Sequence, residues 1–185
     1  MPVQYLALLR GINVGGKNII KMADLKASFE SMGFSDVTTY IQSGNVVFAC
    51  VEKDSTKLTD KIEKALSKRF NYTSRLVLVA HPEMKKIVAD APKGFGNDPD
   101  TYRYDTIFLK EPLTPAKAME QVSLKEGVDQ AYEGKYVLYF SRLTSRASQS
   151  RLSKIISLPM YQNMTIRNWN TTTRLLALME KTHEK

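Results

Sequence analysis

Cysteine and histidine are both scarce in this chain of 185 residues, which contains one cysteine and two histidines. Cys50 has no second cysteine with which to form an internal disulfide, and this fits a reducing compartment. Neither His81 nor His183 has a partner at the spacing of a metal site, and no general base stands out. The sequence therefore predicts no metal site, assigns no cofactor or catalytic residue, and leaves open whether the protein is an enzyme.

Long hydrophobic runs are missing as well. No stretch approaches the roughly 20 apolar residues that a membrane-spanning helix needs. The apolar run at the amino terminus is short, lacks a basic leader and ends at Arg10, which is typical of a buried strand rather than a signal peptide. We therefore expect a cytoplasmic protein that does not act at a membrane.

Acidic residues are absent from one long segment of the chain: no Asp or Glu occurs between Gly134 and Met179. The net charge of the whole chain is +8. A surface of one sign attracts polyanions, so nucleic acid is a candidate partner. A solvated face whose counter-charges lie elsewhere in the fold explains the same segment. The sequence does not determine the oligomeric state.

The apolar residues that are present, 43% of the chain, recur with periods that predict the order β-α-β-β-α-β followed by one further helix, twice. This order is the ferredoxin-like unit, so we expect an α+β protein made of two ferredoxin-like halves, residues 1–91 and 92–185. Residues 91–101 are rich in proline, glycine, asparagine and aspartate and are predicted to link the halves. Hairpin turns are expected at Ser43-Gly44 and Glu133-Gly134.

A glycine-rich segment follows the first predicted strand and reads RGINVGGKN from Arg10 to Asn18. Its G-x-x-x-x-G-K spacing matches the start of a phosphate-binding P-loop, but Asn18 stands where the motif needs Ser or Thr. The next helical pattern begins only near Met22, so a general anion-binding loop or a purely structural turn explains the segment better than P-loop chemistry.

The ferredoxin-like order places this segment beside the first hairpin turn. Together they would form a cluster of donors able to hold a small phosphorylated or otherwise anionic ligand, the leading functional hypothesis. For the hairpin residues, ordinary turn chemistry is the alternative. The candidate ligand-binding residues are Arg10, Asn13, Gly15, Gly16, Lys17, Asn18, Ser43 and Asn45.

Two further groups of polar residues are weaker candidates. Arg167 and Asn168 form an additional polar site before the last predicted helix, for which Asn170 or Thr171 is the expected N-cap. A helix predicted over residues 144–157 suggests non-sequence-specific nucleic-acid binding as the alternative function. Its expected phosphate contacts are Arg142, Arg146 and Lys154.

Three motifs carry a resemblance to a known family: YLALLRGINVGGKN, SGNVVF and TIRNWNT. At these motifs the chain resembles a bacterial family catalogued as domain of unknown function 1697. The resemblance implies a small cytosolic bacterial protein, and it brings no activity, cofactor or catalytic residue. It places residues 10–18, 43–45 and 167–168 among the residues that distinguish the family.

Overall fold

The first sheet forms around strand β1 (Val3–Leu9), the most continuous apolar segment of the chain. In the computed structural model, which describes residues 1–183, the last five residues of β1 are buried, as expected for a central strand. β1 pairs antiparallel with both β3 (Asn45–Cys50) and β4 (Leu76–Ala80). Strand β2 (Ser35–Tyr40) adds to the edge of β3, which gives the order β2-β3-β1-β4.

Two helices, α1 (Met22–Ser31) and α2 (Ser55–Phe70), pack on one face of this sheet. The apolar spacing of α1 buries Leu25 and Phe29 in the core with Phe48 of β3. Helix α2 begins after Asp54, whose carboxylate accepts the N–H groups of Thr56 and Lys57. These hydrogen bonds lower the pKa of Asp54 below its usual value, and the bond from the Lys57 N–H has the largest effect.

The second sheet repeats the first in topology. Its strands are β5 (Tyr102–Leu109), β6 (Asp129–Glu133), β7 (Val137–Leu143) and β8 (Met164–Asn168), in the order β6-β7-β5-β8. Helices α4 (Pro115–Gln121) and α5 (Leu152–Ile156) pack on one face around Ile107, Leu138 and Phe140. In both sheets the first and third strands are central, so the prediction of two ferredoxin-like halves is confirmed.

Each half is followed by a further helix, α3 (His81–Ala89) and α6 (Trp169–His183). The chain divides into two compact units, Met1–Met84 with the chain from Leu175 onward, and Lys85–Arg174. Helix α6 therefore begins in the second unit and continues in the first. None of the helices within residues 1–183 combines the length and apolarity that crossing a bilayer requires.

The prediction of one continuous helix over residues 144–157 is wrong. The structure has a 3-10 turn, Thr144–Gln149, then α5, then a second 3-10 turn, Pro159–Asn163. The segment is rich in serine, and Ser150 Oγ accepts the N–H of Leu152 at 3.2 Å, which starts a new helix there. Such local side-chain hydrogen bonds compete with a continuous helical ladder.

Two smaller predictions also need correction. The turn between β2 and β3 has four residues, 41–44, rather than two, because Asn45 Nδ2 donates to Tyr40 O at 2.9 Å and closes a wider loop. The last helix begins earlier than expected. Asn168 Oδ1, and not Asn170 or Thr171, accepts the first N–H, that of Asn170, at 3.0 Å.

Candidate functional site

The glycine-rich segment after β1 folds into a small hairpin of its own. Val14 and Lys17 form an isolated β-bridge, with Lys17 N donating to Val14 O at 3.0 Å. Gly15 and Gly16, between them, have φ values of 58° and 72°. Positive φ at both central residues is the requirement of a type I′ turn, which explains the glycine pair. Because α1 begins only at Met22, no helix follows Lys17 directly, as a P-loop would require.

The side chain of Asn13 ties this hairpin to its surroundings. Its Nδ2 donates to Ile20 O at 3.0 Å and to Gln42 O at 2.8 Å, and its Oδ1 accepts the N–H of Ile20 at 2.7 Å. Asn18 makes a similar bond, from Nδ2 to Gly11 O at 2.9 Å. Both asparagines, predicted as ligand donors, therefore use their amides to shape the loop.

The structure brings the glycine-rich segment beside the β2–β3 turn, as the sheet topology predicts. Leu9 N donates to Gly44 O at 2.8 Å, and a Cβ on Gly44 would lie only 2.7 Å from Ile12 Cδ1. Asn45 is fully buried, and its Nδ2 also donates to Ser43 Oγ at 2.9 Å. We call residues 10–21 and 41–45 together the rim of the first unit.

The side chains of the two lysines of the rim, unlike those of its asparagines, take no part within residues 1–183 in the bonds that hold the loops together. Lys17 and Lys21 are exposed, and neither forms an ion pair with another residue of the described chain, 1–183. Arg10 is half-buried, and its backbone N–H donates at 2.9 Å to the O of Arg75, the residue just before strand β4. No acidic residue precedes Asp24 in the sequence. The rim therefore carries positive charge on a rigid base.

Sequence reasoning missed three exposed aliphatic side chains on the rim. Val14 is 66% exposed, Ile19 75% and Ile41 49%. Ile41 also has a φ of 46°, a strained conformation for a β-branched residue, which costs about 1–3 kcal/mol unless its surroundings hold it. The only sequence signal for these positions is aliphatic residues in a segment that otherwise reads as a polar loop.

Arg167 and Asn168 are explained by the fold. Asn168 caps α6 and donates from Nδ2 to Tyr104 O at 3.1 Å. Arg167 is buried and donates from Nη1 to Thr165 Oγ1 at 2.7 Å and to Ile166 O at 2.9 Å. Burial lowers the pKa of its guanidinium to about 10, so Arg167 remains charged at neutral pH. Arg167 is thus enclosed by the protein, whereas Asn168 is exposed but uses its amide in these two structural bonds.

The three expected nucleic-acid contacts do not share a helix face, because the helix is not formed. Arg142 lies on β7 and pairs with Asp105 at 3.7 Å, while Arg146 Nη2 donates to Gln149 Oε1 at 2.9 Å. Burial raises the pKa of the Asp105 carboxyl, and Arg142 opposes this effect. Lys154 is exposed on α5. Binding of nucleic acid by these residues stays a prediction, but the shared helix face that suggested it is not present.

The described residues also bear on metal binding and on nucleophilic chemistry. Within residues 1–183, no group of three or more His, Cys, Asp or Glu side chains is arranged to hold a metal ion. Cys50 is buried in β3, and burial raises the pKa of its thiol, which disfavours the nucleophilic thiolate. Cys50 is therefore an unfavourable nucleophile.

Comparison with known proteins connects this fold to one family. The sequence profile described as "Protein of unknown function (DUF1697)" matches residues 3–139. Among solved structures, the chain is similar to "conserved bacterial protein SP0830 from Streptococcus pneumoniae", with 26% identity and a TM-score of 0.85. That match covers 97% of this chain and 99% of the other. No curated protein matches the chain. The resemblance seen in the sequence motifs is thereby confirmed.

Proposed function

The chain belongs to the family described as Protein of unknown function (DUF1697), so its function must be inferred from its own residues. We propose that the rim of the first unit binds a small anionic or phosphorylated ligand.

The observation that carries the proposal is the amino end of α1. Lys21 occupies the N-cap position and supplies no side-chain acceptor to the first N–H groups of the helix. Such N–H groups, together with the helix dipole, favour an anion. Lys17 lies four residues before this N-cap, on the hairpin that Asn13 fixes through its bonds to Ile20. N–H donors and an ammonium group are a suitable set of contacts for a phosphate.

The internal hydrogen bonds of the rim support the same proposal. A ligand that binds a mobile loop must first order it, which weakens the net affinity. Here Asn13, Asn18 and Asn45 hold the loops by side-chain bonds of 2.7–3.0 Å before any ligand arrives. The role of these asparagines in the proposal is positioning, while Lys17, Arg10 and the N–H groups of α1 make the contacts.

The exposed aliphatic residues narrow the ligand class. Val14 is the bridge partner of Lys17, and Ile19 lies between Lys17 and α1. Both side chains present apolar surface beside a cation, and burial of such surface contributes about 25 cal/mol per Å². A phosphate ester with an apolar group fits this arrangement better than inorganic phosphate.

The test is calorimetric titration of the purified protein with inorganic phosphate, pyrophosphate and a series of phosphate monoesters. Lys17→Ala should weaken binding of the best ester by about 1.5–3 kcal/mol, the value of a hydrogen bond to a charged group, without lowering the melting temperature. Lys17→Arg should retain much of the affinity. Lys26→Ala is the matched control, because Lys26 is an exposed lysine on α1 that pairs with Glu30 at 3.8 Å, away from the rim.

Two results would contradict the proposal. One is the absence of any salt-tolerant binding of these anions, since general attraction between exposed charges is screened by salt. The other is an equal loss of affinity in Lys26→Ala, which would attribute binding to net charge rather than to the rim.

A further inference from the structure

A cavity of about 160 Å³ lies on the sheet of the second unit, beneath the start of the segment 91–101. Phe95 and Lys93 come from this segment, and the sheet contributes tyrosines and polar side chains from β5, β6 and β7. The volume is well below the ~300–1,000 Å³ of sites that enclose a whole drug-sized ligand. The cavity can therefore accept a single ring system, with the rest of the ligand outside it.

Strand register explains why these side chains share one face. Tyr104 on β5 is opposite Ser141 on β7, and Ser141 is opposite Gln130 on β6. Because side chains alternate between the faces of a strand, Tyr102 and Tyr132, two positions away, point the same way. The other face carries Ile107, Leu138 and Phe140, which pack against the helices. The cavity thus uses the face of the sheet that α4 and α5 leave open.

The segment 91–101, predicted as a linker, forms an ordered wall of the cavity. The ring of Phe95 packs edge-on against Tyr104 at 4.9 Å and against Trp169 at 5.1 Å. A Cβ on Gly96 would lie 2.3 Å from Trp169 Cδ1, so only glycine allows this approach. Tyr102 N donates to Asp98 O at 3.0 Å and anchors the end of the segment on β5. The wall exists before any ligand binds.

The chemistry of the lining indicates the class of ligand. The rings of Tyr102, Tyr104 and Tyr132 offer aromatic surface, and Tyr132 is 42% exposed. Tyr132 Oη donates to Gln130 Oε1 at 3.1 Å, which leaves the Gln130 Nε2 group as a donor for a ring edge. Lys93 adds a positive charge, and none of the described lining residues is acidic.

Aromatic side chains on a ferredoxin-like sheet are a surface on which bases stack. Here Tyr102 and Tyr104 lie on the central strand β5, and Tyr132 lies on the edge strand β6. We propose that this cavity binds a nucleobase, stacked on its tyrosines, with the attached phosphate outside near Lys93. The base can come from a free nucleotide or from a single-stranded nucleic acid, since both present the same ring and the same charge. The proposal concerns the second unit alone and does not depend on the rim of the first.

Trp169, the single tryptophan, reports on the cavity because its ring contacts Phe95. We would titrate the protein with AMP, UMP, single-stranded oligo-uridylate of eight nucleotides, and ribose 5-phosphate, and follow Trp169 fluorescence and calorimetric heat. Tyr132→Leu should weaken binding about 5- to 150-fold, the range measured for a lost stacking partner, whereas Tyr132→Phe should retain it. Tyr136→Leu is the matched control, because Tyr136 is a tyrosine of the same unit that does not line the cavity.

Each outcome decides the proposal. Binding of the mononucleotides that Tyr132→Leu weakens supports it and identifies a free nucleotide as the source. Binding of the oligonucleotide alone, with the same sensitivity to Tyr132→Leu, supports it and identifies a single strand. A Trp169 response to ribose 5-phosphate equal to the response to the nucleotides, equal losses in Tyr136→Leu, or no binding of any probe by the folded protein would overturn it. Should Tyr132→Leu lower the melting temperature, the same comparison is made with Tyr102→Leu and Tyr102→Phe.

Discussion

Replacing Asn13 by alanine is the change that most directly tests how the rim is held together. The substitution removes three side-chain hydrogen bonds, two to Ile20 and one to Gln42, with lengths of 2.7–3.0 Å. It also places alanine at a φ of 54°, a left-handed conformation that asparagine tolerates better than other side chains. Both effects destabilise the folded first unit.

The magnitude follows from these two effects. A hydrogen bond contributes about 0.5–1.5 kcal/mol net, and the bond to Gln42 is exposed, so water replaces part of it. We therefore expect the three bonds together to contribute about 1.5–3 kcal/mol. The left-handed backbone adds about 1 kcal/mol in alanine. The free energy of unfolding should fall by about 2.5–4 kcal/mol in Asn13→Ala.

Asn71→Ala separates the two effects, because Asn71 ends α2 at a φ of 52° and is exposed. Within residues 1–183 its side chain makes no hydrogen bond, so this variant measures only the backbone conformation. Urea denaturation followed by circular dichroism gives both free energies, and hydrogen exchange of the Ile20 amide reports on the lost bond to Asn13 Oδ1. If Asn13→Ala destabilises no more than Asn71→Ala, the side chain of Asn13 does not hold the rim, and the reasoning is refuted.

Two predictions concern the second unit. Gly96→Ala should lower the free energy of unfolding by about 1–3 kcal/mol, since the new Cβ would lie 2.3 Å from the Trp169 ring and residue 96 has a φ of 87°. Urea denaturation measures this change. An unchanged denaturation midpoint would contradict the packing argument. Burial raises the pKa of Tyr139, whose Oη donates to Ile87 O at 2.7 Å, to about 12. Because the folded-state pKa lies above the unfolded value of about 10, the stabilisation is complete below pH 10 and is lost as the pH rises toward 12. Denaturation between pH 9 and 12 should show this decline, and Tyr139→Phe should reduce it; an identical decline in that variant would assign it to other groups.

The order of elements could be predicted because each core segment carries its own periodicity. Apolar residues at helical spacing in α1 and α2, and apolar runs in β1 and β3, correctly predicted the first half. The prediction failed over residues 144–157, where apolar positions fit a helix but Ser150 bonds to the backbone and divides the segment. A periodicity argument does not include this competition between side chains and backbone.

The rim was predictable as a location but not in the roles of its residues. Topology alone places the loop after β1 beside the β2–β3 turn. The polar character of Asn13 and Asn45 suggested ligand donors, yet their partners are backbone groups such as Ile20 O and Tyr40 O. An asparagine that binds a ligand and one that closes a turn look the same in one sequence, because only the three-dimensional position of the partner differs.

The cavity of the second unit was not predictable, because it depends on the segment 91–101. Proline and glycine in that segment indicated a linker, and a linker has no fixed contact with a sheet. The structure instead packs Phe95 against Tyr104 and Trp169. One apolar residue among many turn-formers gives too weak a signal to predict that contact.

The two halves share a topology but do not share these sites. Asn45, which closes the β2–β3 turn in the first half, corresponds to Val137 at the same position of the second sheet. The loop after β5, residues 110–114, contains no glycine, so the second half cannot form the same type of glycine hairpin. The rim is therefore a property of the first half alone.

The reverse holds for the cavity. In the same register, Tyr104 and Tyr132 of the second sheet correspond to Gln4 and Thr38 of the first, which offer no aromatic surface. Since function lies in particular residues rather than in a fold, a repeated topology does not imply a repeated binding site. The substitutions of Lys17 and Tyr132 thus test separate statements: loss of ester binding in Lys17→Ala should leave the Trp169 response to nucleotide unchanged. A single variant that abolished both would mean that one of the two ligands had been assigned to the wrong half.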